Sequence, residues 1–143
     1  MTVRPPQRGM DAILVPYDGW EASSAALRIA LERGERYDAR VDVVYVAGDD
    51  EETTEGVRRM AREERDETDA DVECSVDVIE PFDGGRSDTE VGNRLVALID
   101  DRGYDEVIAG YPDRKGRLHE FVVGSVTDVL LEDPPVPITL VPN

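Results

Sequence analysis

A chain of 143 residues is long enough for one domain with its own core, and a hydrophobic content of 40% excludes a disordered chain. The 33 acidic residues outnumber the 16 basic ones and give a formal net charge of −17, which disfavours binding to nucleic acid and to anionic membranes. A single cysteine and a single histidine exclude an internal disulfide and argue against a zinc or haem site.

The acidic residues are spread along the whole chain. An acidic tail and adaptation to a salt-rich cytoplasm are competing explanations, and the even spread favours the second, as found in halophilic archaea, where salt screens the repulsion. The start has no apolar signal-peptide core, and no apolar run is long enough to cross a membrane. We therefore expect a flexible N-terminal arm (residues 1–10), one domain (residues 11–143) and a cytoplasmic location.

The N-terminal half is predicted to alternate between strands and helices. An apolar run ends at Pro16, Asp18-Gly19 marks a turn, and the following segment has its alanines and Ile29 at helical spacing. A later stretch alternates apolar and polar residues, which is typical of a half-exposed strand at a sheet edge. The predicted elements are a strand over residues 12–15, a helix over 21–36, a strand over 41–46, an acidic loop over 48–52, a surface helix over 55–68 and a strand over 72–79.

The C-terminal half continues the alternation. Ser87 and Glu90 have the spacing of a capping box, so a helix is expected to start there and to end near Gly103. A strand over residues 106–109 leads into a loop, a helix follows over residues 124–131, and the last strand covers residues 136–141. Strict alternation predicts a single-domain α/β fold with a parallel sheet and helices on both faces.

In such sheets ligands bind beyond the carboxyl ends of the strands, where the strand order reverses. Pro16-Tyr17-Asp18 follows the first strand and Gly110 follows the fourth. If these two strands are neighbours, their turns meet at that point.

The loop after Gly110 is basic in an otherwise acidic chain. It holds Arg114, Arg117, the only lysine (Lys115) and the only histidine, and it ends in Gly124-Ser125 at a predicted helix start. Cations and free backbone N–H groups suit a phosphate. The alternative is that these side chains pair with surrounding acids and that Ser125 only caps its helix.

Several segments together resemble the universal stress protein family. The resemblance is carried by residues 13–19 (ILVPYDG) with Glu21-Ala22-Ser23, by Tyr45-Val46, by residues 105–110 (DEVIAG), by residues 123–127 (VGSVT) and by residues 135–141 (PVPITLV). The resemblance covers nearly the whole chain and is weakest across residues 48–90.

The resemblance implies an open five-stranded parallel sheet in the order 3-2-1-4-5, Rossmann-like and similar to the adenine nucleotide alpha hydrolases. It also implies a homodimer through the last strand (Ile138 to Val141) and a site for ATP or another adenine nucleotide, with Mg²⁺ as a candidate companion ion. The implied nucleotide-binding residues are Pro16, Tyr17, Asp18, Val46, Ala109, Gly110, Arg114, Gly116, Gly124, Ser125 and Val126.

Two positions depart from the pattern of the nucleotide-binding members. Asp113 stands where their second glycine lies, in a loop that is one residue longer, and Gly116 is the nearest glycine to it. Trp20 replaces the small polar residue that usually precedes the first helix. A carboxylate near a triphosphate repels it unless it holds Mg²⁺ or turns outward.

No catalytic set is evident, since no nucleophile has a histidine base at a recognisable spacing. Any ATP hydrolysis is therefore expected to be slow. The sequence favours a small regulatory protein of the stress response that binds an adenine nucleotide and an unidentified protein partner. The alternative is a dimeric interaction module of the same fold without a nucleotide.

Overall fold

The computed structural model describes residues 11–48, 50–80, 88–111 and 126–142. The arm predicted for residues 1–10 and the serine of the predicted capping box lie outside these ranges. The described elements are β1 (Ala12–Pro16), α1 (Glu21–Tyr37), β2 (Arg40–Val46), α2 (Glu51–Glu67), β3 (Cys74–Ile79), α3 (Asp88–Arg102), β4 (Glu106–Tyr111), α4 (Val126–Glu132) and β5 (Ile138–Pro142).

The strands form one parallel sheet in the order β3-β2-β1-β4-β5. This confirms the predicted α/β class and the strand order that the family resemblance implied. The chain moves outward from β1 to β3 and then returns to place β4 on the other side of β1. The strand order therefore reverses between β1 and β4, so their carboxyl ends form the edge where a ligand site is expected.

Both faces of the sheet are buried, as near-continuous apolar strands predict. The first face packs against α1 and α2, with Ile13, Val43 and Leu27 in its core. The second face packs against α3 and α4, with Leu14, Leu95 and Leu130 in its core. Two opposed cores of this kind hold the central strands rigidly from both sides.

Several predicted boundaries shift in the structure. The acidic segment predicted as a loop is the start of α2, because Asp50 caps the helix by accepting the N–H of Glu52 at 3.1 Å and the hydroxyl of Thr53 at 2.6 Å. The first turn carries Glu51 and Glu52, and negative charge there interacts favourably with the helix dipole. β3 and β5 each begin two residues later than predicted, at Cys74 and Ile138.

Two predictions of burial were imprecise. Ile29 belongs to the apolar spacing of α1 but is 38% exposed, because the buried face of this helix is centred on Ala26, Leu27, Ala30 and Leu31 instead. Of the three residues of α4 that were predicted to be buried, Leu130 is fully buried, while Val126 and Val129 are half-buried. The inner face of α3, by contrast, is buried as predicted.

A buried carboxylate lies near the amino ends of the strands on the second face. Asp42 of β2 accepts the hydroxyl of Tyr104 at 2.7 Å and that of Ser75 at 2.9 Å. Burial of the phenol, and then its hydrogen bond to Asp42, raise the pKa of Tyr104 to about 12. Arg102 donates to Tyr104 at 3.2 Å and to Asp77 at 3.1 Å, so the cluster includes a cation.

A second buried carboxylate lies near the amino end of β4 on the first face. Glu106 is 5% exposed and forms an ion pair with Arg33 of α1 at 2.7 Å. The same carboxylate oxygen accepts the hydroxyl of Thr139 in β5. In the parts of the chain that the structure describes, no buried side-chain nitrogen or oxygen lacks a hydrogen-bond partner.

Candidate functional site

The turn that follows β1 is built around Asp18. Its Oδ1 accepts the backbone N–H of Trp20 at 2.9 Å and the hydroxyl of Ser23 at 2.8 Å. These bonds form an Asx turn that leads directly into α1. Asp18 is solvent-exposed, and the bonds that shape the turn use only its Oδ1. The carboxylate therefore has a second oxygen that can accept a hydrogen bond from a ligand.

Gly110 lies inside β4 rather than in the loop after it, because the strand continues to Tyr111. A Cβ on Gly110 would lie 2.4 Å from the carbonyl carbon and oxygen of Ala22 and 2.6 Å from the amide nitrogen of Ser23. The first turn of α1 therefore rests directly on the backbone of β4. Only glycine permits this close approach of helix and strand.

Ser23 connects the two halves of the site, and the sequence analysis did not select it as a site residue. The residue is buried at 5% exposure, and its hydroxyl contacts Asp18 while its amide nitrogen lies against Gly110. The hydroxyl also donates to the carbonyl of Trp20 at 2.9 Å. The turn after β1 and the carboxyl end of β4 thus converge through one residue, which contacts the turn with its side chain and β4 with its backbone. A serine five residues after Asp18 and inside the first helical turn was the available sequence signal.

Four further residues of the predicted site lie at or near the carboxyl edge and are among the residues that the structure describes. Pro16 is half-buried at the end of β1, while Val46 and Ala109 lie in the second core at 2% and 4% exposure. Tyr17 lies in the first core at 4% exposure, and its hydroxyl contacts Ser24 at 3.1 Å. Burial raises the pKa of Tyr17, with the Ser24 hydrogen bond opposing it. This phenol is therefore held neutral inside the first core.

The remaining predicted site residues belong to the segment between β4 and α4. Arg114, Gly116, Gly124 and Ser125 lie outside the described residues, as do Asp113 and His119. Val126 is the first described residue of α4 and is half-buried. The predicted phosphate contacts stay predictions, whereas the β1 side of the site has a defined geometry.

Trp20 stands at the rim of this edge. It occupies the N-cap position of α1 without a side-chain cap, and its indole is 74% exposed. Gly19 and Glu21, its sequence neighbours, line an open cleft of about 410 Å³ between α1 and α2. Arg28 and Glu64 also line this cleft and form an ion pair at 3.0 Å.

The described part of the site can position a ligand but offers little chemistry. Asp18 can accept hydrogen bonds, whereas Val46 and Ala109 lie buried in the second core near the strand ends. Within residues 11–48, 50–80, 88–111 and 126–142, no three His, Cys, Asp or Glu side chains are grouped so that they could hold a metal ion. The one cysteine, Cys74, lies half-buried on the first face, and burial raises its thiol pKa to about 11.

The sheet is open and parallel, and its strand order reverses beside two converging turns. Open α/β domains of this kind have their ligand sites at the point where the strand order reverses. The family model for the universal stress protein family matches residues 10–142. The chain therefore belongs to the universal stress protein family, as the sequence resemblance predicted. A search of curated protein sequences finds no match to this chain.

Solved structures with the same fold include members of this family. A universal stress protein family structure from Burkholderia pseudomallei has 23% identity and a TM-score of 0.69, with coverage of 96% of this chain and 100% of that one. A universal stress protein in complex with cAMP has 17% identity and a TM-score of 0.69, with coverage of 93% and 97%. The universal stress protein from Archaeoglobus fulgidus in complex with dAMP has 15% identity and a TM-score of 0.59, with coverage of 92% and 97%.

These similarities show the fold and do not by themselves assign a ligand. None of the helices in the described parts of the chain is long and apolar enough to cross a bilayer.

Proposed function

We propose that this chain is a small regulatory protein of the stress response that binds an adenine nucleotide, such as ATP or AMP, at the carboxyl ends of β1 and β4. The observation that carries the proposal is the convergence of the Asp18 turn and Gly110 through Ser23. Two structures of the same fold are complexes with cAMP and with dAMP, which supports an adenine nucleotide as the ligand class.

In this binding mode the base lies between Pro16-Asp18 and Val46-Ala109, at the carboxyl ends of β1, β2 and β4. The ribose lies against Asp18, whose second oxygen accepts a hydroxyl. The phosphates then run over Gly110 toward Gly124 and Ser125, with Arg114 and Gly116 in the segment between β4 and α4 as further candidate contacts. Mg²⁺ would offset the repulsion between a triphosphate and the carboxylates of so acidic a chain. Any hydrolysis is expected to be slow, because the sequence has no nucleophile with a histidine base at a recognisable spacing.

Titration calorimetry with ATP and AMP, with and without Mg²⁺, tests this proposal. Asp18→Asn is the sharpest variant, because asparagine keeps the Oδ1 that shapes the turn and replaces the second oxygen with a donor. A hydrogen bond to a charged group contributes about 1.5–3 kcal/mol, so we expect affinity to fall about tenfold or more.

The matched control is Asp101→Asn, since Asp101 is an exposed carboxylate at the end of α3, on the opposite edge of the sheet. Both variants remove one negative charge, so a purely electrostatic effect would tighten binding of an anion in both. Tighter binding by Asp18→Asn would contradict the ligand contact. No heat at millimolar nucleotide for the unmodified chain would reject the site.

The edge strand β5 favours a second candidate, a dimeric interaction module of the same fold. In the described sheet β5 pairs only with β4, and its Ile138 and Leu140 are half-buried. An apolar edge strand favours pairing with another chain, so we propose a homodimer through Ile138 to Val141.

Light scattering tests this dimer with Leu140→Lys. As a control, Leu131→Lys changes an exposed leucine of α4. We expect the first variant to be monomeric and the second to remain dimeric. Co-purification of a nucleotide with the dimer would argue for the first function over the second.

The acidic surface supports a salt-rich cytoplasm as the working environment. At a net charge of −17 the folded chain repels itself, and salt screens this repulsion. We expect the melting temperature to rise strongly between dilute buffer and molar KCl. An unchanged melting temperature would contradict the proposed adaptation.

A further inference from the structure

Trp20 combines a rigid backbone with an exposed ring. Its N–H donates to Asp18 Oδ1 at 2.9 Å, and its carbonyl accepts the Ser23 hydroxyl at 2.9 Å and the Ser24 N–H at 3.1 Å. The residue is thus fixed on both sides, whereas its indole is 74% exposed. A fixed backbone under an exposed aromatic ring is a preorganised contact surface.

Two local preferences are violated at this position. An N-cap residue usually supplies a side-chain oxygen to the first helical N–H groups, and tryptophan has none. A large aromatic side chain usually buries most of its surface, and this one does not. Local choices that oppose stability are expected where a residue serves binding.

The chain path places the Trp20 backbone at the carboxyl edge of the sheet, next to the Asp18 turn. Gly19 lies against α2, since a Cβ there would be 2.9 Å from the Met60 side chain, and α2 follows β2. Ala22 lies against Gly110 in β4. The Trp20 backbone therefore lies between a contact with α2 and a contact with β4, beside the Asp18 carboxylate that is proposed to hold the ribose.

We propose that Trp20 stacks on the purine ring of the bound nucleotide and covers it from the α1 side. This inference rests on the proposed function and adds a specificity-determining residue to it. A π-face is what an aromatic heterocycle requires of a partner, and the contact selects ligands that carry a base over ribose phosphates without one. The indole would exchange its exposed state for a stacked one on binding.

The chain offers a direct readout, because Trp20 is its only tryptophan. During titration with AMP, the indole is excited at the red edge of its absorption band, where adenine does not absorb, and its fluorescence emission is recorded. We expect AMP to quench the emission and to reduce the access of acrylamide to the ring. Calorimetry under the same conditions reports whether AMP is bound at all.

Variants measure the contribution of the ring. Loss of one base-stacking ring weakens binding by about thirtyfold in the middle of the known range, so we expect that loss for Trp20→Ala and recovery of most of the affinity in Trp20→Phe. The control is Tyr37→Ala, which removes an exposed aromatic ring from the opposite end of the same helix and is expected to leave AMP affinity unchanged.

The outcomes separate this inference from the proposed function. Heat from AMP with unchanged indole emission, and equal affinity of Trp20→Ala, would overturn stacking while leaving the nucleotide site intact. No heat with the unmodified chain would overturn both.

Discussion

The two edges of the sheet are built differently. At the amino edge Asp42 and Glu106 are buried, and each is held by side chains from neighbouring elements. Asp105 adds to this edge by accepting the N–H groups of Asp11 and Ala12 at 2.8 and 3.0 Å. At the carboxyl edge Asp18 is exposed and bonds only within its own turn, and Trp20 leaves its ring in solvent.

This contrast separates stability from binding. Buried charges need partners, and leaving one unpaired is strongly destabilising. The amino edge therefore fixes the fold through contacts that cross between elements. The carboxyl edge keeps polar and aromatic groups available, which lowers its contribution to stability and gives a ligand something to contact. The predictions below test this division, beginning with the one place where the carboxyl edge is tightly packed.

Gly110→Ala is expected to have the largest effect. The new Cβ would lie 2.4 Å from backbone atoms of Ala22, which cannot turn aside as a side chain could. Overpacking of a core costs about 1–3 kcal/mol and occasionally more, and we expect about 3 kcal/mol here, measured by urea unfolding. The start of α1 must move, so nucleotide affinity should fall as well.

Gly56→Ala is the matched control for that change. The nearest atom to a Cβ on Gly56 is the end of the Arg59 side chain at 3.9 Å, and Gly56 lies inside α2. Replacing an unhindered helical glycine by alanine stabilises by about 0.5–1 kcal/mol. Equal effects of the two substitutions would refute the close contact at Gly110.

Arg33→Met tests the amino edge. It leaves the carboxylate of Glu106 buried with only the hydroxyl of Thr139 as a partner. Breaking a buried pair costs about 3–5 kcal/mol, and the partial exposure of Arg33 to water lowers our expectation to about 2 kcal/mol. Addition of Glu106→Gln should restore most of the loss, because it removes the unpaired charge.

Arg28→Met is the control on the same helix. Its pair with Glu64 has a similar length of 3.0 Å, but the Arg28 side chain is 51% exposed. Exposed pairs contribute about 0–1 kcal/mol, so we expect a smaller loss in chemical denaturation. If Arg28→Met lost as much unfolding free energy as Arg33→Met, burial of Glu106 would not explain the contribution of its ion pair to stability.

The fold could be predicted from the sequence because its signal is periodic. Apolar runs such as residues 41–46 and the helical spacing of α3 reflect burial on two faces, so the order of elements followed directly. The start of α2 was missed because the acidic residues that form its cap and first turn have the composition of a loop. Only the geometry of Asp50 distinguishes the two.

The site could be predicted only in part. Asp18 and Gly110 were selected from their predicted positions after strands and from family motifs; the structure brings them together, while their contact with a ligand stays a prediction. The role of Gly110 in seating α1 depends on a contact between residues 22 and 110 that no local pattern encodes. Ser23 was missed for the same reason, since its importance comes from joining two distant segments rather than from its own spacing.

Because of Tyr104 at the amino edge, the free energy of unfolding is expected to fall at alkaline pH. Its pKa is raised from 10.0 to about 12 in the fold, so the folded state retains the phenol proton more strongly than the unfolded chain does. This contribution is complete below the unfolded pKa and is lost as pH rises through the folded pKa. Between about pH 9 and about pH 11 the loss is about 1.4 kcal/mol.

The comparison with Tyr104→Phe isolates this effect, because Tyr17 and Cys74 titrate alike in both proteins. The difference in unfolding free energy between the two should narrow as pH rises over that range. A difference in unfolding free energy that stays constant across alkaline pH would contradict the raised pKa. It would assign the stability that Tyr104→Phe loses to the hydrogen bond with Asp42 alone.

Trp20→Ser tests the carboxyl edge of the sheet and has the smallest expected effect on stability. Serine supplies the side-chain oxygen that the N-cap of α1 lacks and removes an exposed ring. A good N-cap stabilises by about 1 kcal/mol, so thermal unfolding should occur at a higher temperature while AMP binds more weakly. Tyr37→Ser, at the other end of α1, should change neither, since a hydroxyl there cannot cap N–H groups. A Trp20→Ser protein that is less stable than the unmodified chain would mean that the indole supports the fold, and the division between the two edges would not hold at this residue.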